Sequence, residues 1–185
     1  MNTTYMVIIV VLVLVVVGLI LAPIFARRQR TKRYQAQFGP EYDRTVKELG
    51  DDKKAQSELD VRRKHVEALN IRPLSIVERD RYMKDWTAVQ AKFFDEPEQA
   101  TVEADHLIME VMQVRDYPVS DFEQRAADIS VNYPALVSNY RAARVIALHN
   151  EEHKADAEEL KKAVIYYRSL FDELLKTENV SPEAA

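Results

Sequence analysis

Residues 75–134, SIVERDRYMKDWTAVQAKFFDEPEQATVEADHLIMEVMQVRDYPVSDFEQRAADISVNYP, decide the fold class, because helical periods and their start and stop signals follow one another there without a gap. Ser75-Ile76-Val77-Glu78 has the form of a capping box, in which the serine and glutamate side chains each satisfy an exposed backbone N–H of the first turn. Ile76, Tyr82, Met83, Trp86, Val89, Phe93 and Phe94 then recur at three and four spacing, which gathers the aromatic mass on one helical face. Asp95-Glu96-Pro97 starts a second helix with a wide stripe of Ala100, Ala104, Leu107, Ile108, Val111, Met112 and Val114, and Tyr117-Pro118 ends it. Ser120-Asp121-Phe122-Glu123 predicts another capping box, followed by Phe122, Ala126, Ile129 and Tyr133 before Pro134. Three helices joined by short Pro-marked turns make an all-α bundle whose fourth member begins at Pro134. The scarcity of turn formers, 3 Gly and 7 Pro in 185 residues, fits the same class.

Downstream, no Pro or Gly interrupts the chain from Pro134 to Lys176, so one long C-terminal helix or two abutting helices are open. A heptad seam runs through Leu136, Asn139, Ala143, Ile146, Asn150, His153, Ala157, Leu160, Val164, Tyr167, Phe171 and Leu174, apolar at its ends and polar in the middle. It predicts that 136–148 packs on the bundle, that the charged centre EEHKADAEE at 151–159 crosses solvent, and that 160–175 packs against the stalk or a second copy. The tail at 177–185 reads as disordered. Upstream, Gly39-Pro40 opens PEYDRTVKEL, which Gly50 closes, and 51–70 carries a thin stripe of Ala55, Leu59, Val66 and Leu69 interrupted by Arg62. Residues 40–72 therefore read as a charged helical stalk leading into a bundle at 73–176.

Further upstream, Met6 to Phe25 is a run of twenty residues without a charge, enough for a helix to cross the roughly 30 Å core of a bilayer. A secretory signal would have a basic n-region and a shorter apolar core, whereas MNTTY has no Lys or Arg. The cations lie on the far flank at Arg27, Arg28, Arg30, Lys32 and Arg33, which predicts an uncleaved transmembrane anchor at 1–26 with the N-terminus outside and the body cytoplasmic. Five of the 26 basic residues precede Tyr34, leaving 21 after it against all 30 acidic ones, so a flank of +5 is followed by a body of −9. The basic juxtamembrane segment 27–39 suits anionic lipid headgroups, while the acidic body repels nucleic acid. Gly18, Ala22 and Ala26 form a small-residue stripe through which anchors could pack into a homo-oligomer. Between Asp95 and Asn139 the charge is again lopsided: ten carboxylates face only Arg115 and Arg125, a surface that is either solubilising or open to a basic partner.

Chemistry is harder to find. Cysteine is absent, which removes disulfides, thiolate metal ligands and thiol nucleophiles. His149-Asn150-Glu151-Glu152-His153 matches H-x-x-E-H, in which two histidines one turn apart ligate zinc and the glutamate activates water. No third ligand is evident nearby, so a metal-dependent hydrolase built on His149, Glu152 and His153 stands only as the alternative to a solvated helix face. His65 and His106 lack a neighbouring nucleophile, and so few glycines cannot make a phosphate loop; no cofactor is implied. The densest stretch is RDYPVSDFEQRAAD at 115–128. It reads as helix capping with an Asp121–Arg125 pair, or as a docking surface on Tyr117, Asp121, Phe122 and Arg125, since exposed aromatics and arginines anchor interfaces.

FGPEYDRTV, IRPLS, ERDRYMKDWTAVQAKFFDEP and EVMQVRDYPVSDFEQRAADISVNYP together resemble a family of small uncharacterised bacterial proteins with a single N-terminal membrane segment and a helical domain. The resemblance spans roughly residues 37–148 and implies a bacterial origin and this architecture, but no activity, cofactor or catalytic residue. Taken together, the residues predict a single-pass membrane protein whose cytoplasmic helical bundle works by binding another protein rather than by catalysis.

Overall fold

The computed structural model describes residues 3–176, with the side chains of 3–11, 13–18, 20, 23 and 24 outside the description; the tail at 177–185 also lies outside it. The described chain is helical: α1 (Thr3–Phe38), α2 (Pro40–Leu49), α3 (Asp52–Ala68), α4 (Ile76–Lys92), α5 (Pro97–Val114), α6 (Phe122–Asn132), α7 (Val137–Glu151) and α8 (Ala157–Leu174). Most boundaries follow local chemistry. Pro40 and Pro97 occupy first turns, where a missing N–H costs nothing. The Ser75/Glu78 capping box forms in full, with Glu78 N–H donating to Ser75 Oγ at 3.2 Å and Ser75 N–H to Glu78 Oε2 at 2.8 Å. Arg72 also grips Glu78, at 2.7 Å, and together with the Ser75 N–H holds its carboxyl down at about 2.

Three of the predicted boundaries shift, the helix expected from Pro134 starting only at Val137. The cap of α6 is Asp121 rather than Ser120, its carboxylate accepting from Gln124 N–H at 2.8 Å. The C-terminal segment is not one long helix: α7 ends at Glu151, and His153 takes a left-handed φ of 55°. His153 N–H donates to Asn150 O and Lys154 N–H to His149 O, both at 2.9 Å, the paired bonds that close a helix in the Schellman motif. Two residues on, Asp156 and Glu159 form a second complete capping box and start α8. The end of α5 is built the same way around Asp116 at φ 66°, with Asp116 N–H bonded to Gln113 O and Tyr117 N–H to Met112 O, both at 3.0 Å. There Pro118 advertises the stop; after α7 no Pro or Gly does.

Because of this break, α8 folds back along α7 and packs against α5, and α4 packs on α5 and reaches α8 through Trp86. Ala163, Tyr167, Leu170, Phe171 and Leu174 of α8 are fully buried in the main core, alongside Trp86, Ile108, Met112, Val137 and Tyr140. The Trp86 and Phe171 rings stack with centroids 4.7 Å apart, and Tyr140 meets Tyr167 edge-on at 6.2 Å. Thus 160–175 packs inside its own bundle, and the charged stretch 151–159 is broken by a turn at 152–156 rather than crossing solvent as one helix.

Residues 40–72 are likewise no free-standing stalk. Gly50, at φ 68°, closes α2, Asp51 caps α3, and the resulting hairpin lays α3 against α6 and α2 against α7. A second small core forms from Phe38, Tyr42 and Leu59, with Tyr34, Val46 and Val131 packed around it. Arg62, which breaks the apolar stripe in sequence, is part of the seal: its Nη1 lies 2.9 Å from Glu41 Oε1. Glu41 is 1% exposed at its side chain and also receives Arg44 Nε at 3.1 Å and Arg141 Nη2 at 3.2 Å, so one buried carboxylate joins α2, α3 and α7. Breaking a buried ion pair from one side typically costs about 3 kcal/mol or more. We expect Glu41→Ala to destabilise the fold by about 3 kcal/mol, read from denaturant unfolding by circular dichroism, with Arg44→Ala, on the more exposed partner, costing under about 1 kcal/mol.

Candidate functional site

The five flanking cations, Arg27, Arg28, Arg30, Lys32 and Arg33, all lie on the last turns of α1 and are exposed. Only Arg30 approaches a carboxylate among the described residues, standing 4.0 Å from Asp60 Oδ2, while its guanidinium lies 5.7 Å from the Tyr34 ring centre. Tyr34 donates to the same Asp60 oxygen at 2.7 Å, and burial and that carboxylate raise its pKa. The cationic end of α1 is thereby held beside α3. Of the small-residue stripe, Ala22 and Ala26 are exposed on α1, while the surroundings of Gly18 lie outside the description.

Of the docking set predicted at the α5–α6 turn, Tyr117 and Arg125 are buried, Phe122 is half-buried and Asp121 alone is exposed. Tyr117 is 3% exposed and its hydroxyl accepts from Asn132 Nδ2 at 2.9 Å; burial pushes its pKa up to about 12. Arg125 is 5% exposed, donating to Val119 O and, at 3.2 Å, to Tyr140 Oη, with its guanidinium 5.6 Å from the Phe122 ring. Phe122 tilts onto Tyr140 at 5.1 Å, and Asp121 is spent on capping rather than paired with Arg125. Tyr and Arg carry long apolar bodies with polar tips, so residue type alone does not separate an interface anchor from a buried brace.

The HNEEH string loses the geometry that made it a candidate. His149 remains on α7, but His153 lies past the helix end in a left-handed conformation, so the two do not share a helical face. His153 is 81% exposed and its Nδ1 stands 3.3 Å from Glu98 Oε2. Among the described residues, no group of three or more His, Cys, Asp or Glu side chains is placed to hold a metal ion. Accordingly, elemental analysis of the purified chain should find zinc well below one per molecule, unchanged in His153→Ala; a stoichiometric metal lost in that variant would restore the hydrolase.

Two arrangements were not legible beforehand. One is an open groove of about 470 Å³ between α4 and α5, with Val89, Val102 and Leu107 along it and Asp85, Glu103, Glu110 and His106 around it. Lys92 binds Glu103 and holds its carboxyl below the usual range. His106, which sequence leaves without a partner, lies 3.6 Å from Glu110. The other is a polar seam inside the bundle. Asp105 is buried with its Oδ2 3.7 Å from Arg144 Nη1, and burial first, then the Asp105 charge, raises the neighbouring Tyr167 hydroxyl. Both depend on which residues of separate helices meet, a fact no single helical period contains.

Asp128, at the α3–α6 contact, is fully buried; Gln124 Nε2 donates to Oδ1 at 2.8 Å, His65 Nε2 lies 3.6 Å from that oxygen, and Oδ2 has no hydrogen-bond partner among the described residues. Desolvation raises its pKa. A raised carboxyl binds its proton more tightly when folded, so it favours folding at low pH and loses that contribution as pH rises through the folded pKa. We expect Asp128→Asn to raise the melting temperature at pH 7, with the advantage shrinking as pH falls towards the ordinary carboxyl value of 3.8. A constant difference across that range would assign the effect to packing instead.

No protein-family model matches the chain, and neither a curated protein nor a solved structure matches it. Among the described residues no helix is long and apolar enough to cross a membrane, and most side chains of the apolar run fall outside those residues.

Proposed function

We propose that this chain is a membrane-anchored, non-catalytic protein-interaction or scaffold domain, with Met6–Phe25 as a single span and the bundle on the cytoplasmic side. What carries the proposal is the continuity of α1: the helix that begins at Thr3 runs without interruption to Phe38, and Phe38 is buried in the small core with Tyr42 and Leu59. A helix of 36 residues is about 54 Å long, well beyond the 30 Å a bilayer core requires. A charge-free run at one end and a residue locked into the body at the other would hold the bundle close to the surface from which α1 emerges.

The flank supports the orientation, since Lys and Arg gather on the cytoplasmic side of spans. The resemblance to bacterial single-segment proteins supports a bacterial cytoplasmic membrane. For the partner, the α4–α5 groove offers apolar surface bordered by acidic side chains, the form that receives a basic amphipathic segment of another protein. It replaces the Tyr117–Arg125 surface as the place to look.

The test uses the full chain in cells. A cytoplasm-dependent reporter fused after Ala185 should be active and an export-dependent one silent; the reverse would overturn the orientation. A photo-crosslinking residue at Val102 should give one discrete adduct, abolished by Glu110→Lys, whereas no adduct, or one that survives the charge reversal, would remove the groove as the binding site.

A further inference from the structure

We propose that the cleft between α1 and α3 binds a phosphate group, supplied by the headgroup of an anionic phospholipid. The cleft has a volume of about 420 Å³ and brings together Arg30 and Arg33 of α1, Arg63 of α3, the amides of Gln29 and Gln37, and a single carboxylate, Asp60. Three guanidinium groups against one carboxylate leave it cationic within a body of opposite net charge.

That carboxylate is already engaged. Asp60 accepts from Tyr34 Oη at 2.7 Å and from Arg63 Nη2 at 3.1 Å, and Arg30 lies 4.0 Å away; Arg63 Nη1 also lies 3.9 Å from Glu67 Oε1, outside the lining. Arg33 has no ion pair among the described residues, so its charge is not spent inside the protein. Arg63 Nε makes no hydrogen bond among the described residues, and its side chain is 40% exposed, so the guanidinium can turn to offer that donor to a phosphate oxygen. Guanidinium forks match phosphate geometry, and two helices presenting them across a cleft give directions that a flexible basic tail cannot. A neighbouring cleft of about 450 Å³ on the other side of Arg30 is a poorer candidate. It holds Arg27 and Lys53 but also Asp51 and Asp52, which offset them.

Position selects a lipid as the source. The lining begins at Ala26, the residue after the apolar run, and reaches Gln37. The Ala26-to-Arg33 part rises about 10 Å along the helix, comparable with the headgroup layer flanking a bilayer core. The inference rests on Met6–Phe25 being a membrane span, and it adds what the flank alone does not contain: a cation from α3, thirty residues beyond Arg33, completing the site.

The experiment titrates the full chain, in neutral detergent, with phosphatidylglycerol, phosphatidylcholine and inorganic phosphate, counting bound lipid by native mass spectrometry. Phosphatidylglycerol should bind in preference to phosphatidylcholine. Arg63→Gln should weaken it about fivefold, as expected for one cation at an anionic headgroup, and Arg28→Gln, outside the cleft, should weaken it less. Melting curves without lipid show whether Arg63→Gln leaves the fold intact, and Arg63→Lys should recover part of the binding. Equal binding of the two lipids, or no dependence on Arg63, overturns the site; inorganic phosphate binding as tightly as the lipid, in an Arg63-dependent way, overturns the lipid as its source. Carbonate extraction of membranes separates the two levels. Wild type and Arg63→Gln both stay in the pellet if α1 spans the bilayer, and release of the wild type would refute the anchor independently of the cleft.

Discussion

Glu41 is the constraint on which the arrangement of the two halves depends. Its carboxylate is withdrawn from water, and such a group is tolerable only with charged donors around it. Arg44, Arg62 and Arg141 supply them from α2, α3 and α7, and Arg141 extends the network to Glu123 at 2.8 Å. Few placements of three helices satisfy one buried acid in this way. The helical hairpin is therefore registered against the bundle, and with it Phe38 and the cationic end of α1.

Arg115 has a matching role at another corner of the bundle. It is 3% exposed and has no carboxylate within ion-pair distance among the described residues; its donors go instead to Arg72 O at 3.1 Å, Tyr133 Oη at 3.0 Å and Leu174 O at 2.9 Å. Leu174 ends α8, where a carbonyl would otherwise lack a partner, so the guanidinium serves as a cap delivered from a different helix. The cations that look, in sequence, like the only relief in an acidic stretch, Arg115 and Arg125, are thus both committed to the interior. The carboxylates of 95–139 draw their cations from outside that stretch instead, Glu103 from Lys92, Asp105 from Arg144 and Glu123 from Arg141.

The helices were legible where their ends carry chemistry that sequence displays. Ser75/Glu78, Pro97, Pro118, Gly39-Pro40 and Gly50 mark real boundaries because capping, a fixed φ and a left-handed φ are properties of one or two residues. The break between α7 and α8 was not legible, because His153 occupies a left-handed position usually reserved for glycine and the Asp156/Glu159 box starts the next helix only after that turn. The stalk was misjudged for a related reason. Arg62 interrupts an apolar stripe until Glu41, twenty-one residues earlier, is known to lie opposite it.

By itself, then, the sequence determined the helical class, most helix ends, the charge-free run and the cationic flank that follows it, since each depends on local periodicity, capping or net charge. Tertiary structure alone decided that Tyr117 and Arg125 are interior braces, that the two histidines of HNEEH part company, that α8 completes its own bundle, and that Arg63 comes to stand across a cleft from Arg30 and Arg33. The physical reason is the same in each case. Burial and electrostatic partnership are set by residues from other helices, and a helical repeat specifies which face is apolar without specifying what covers it.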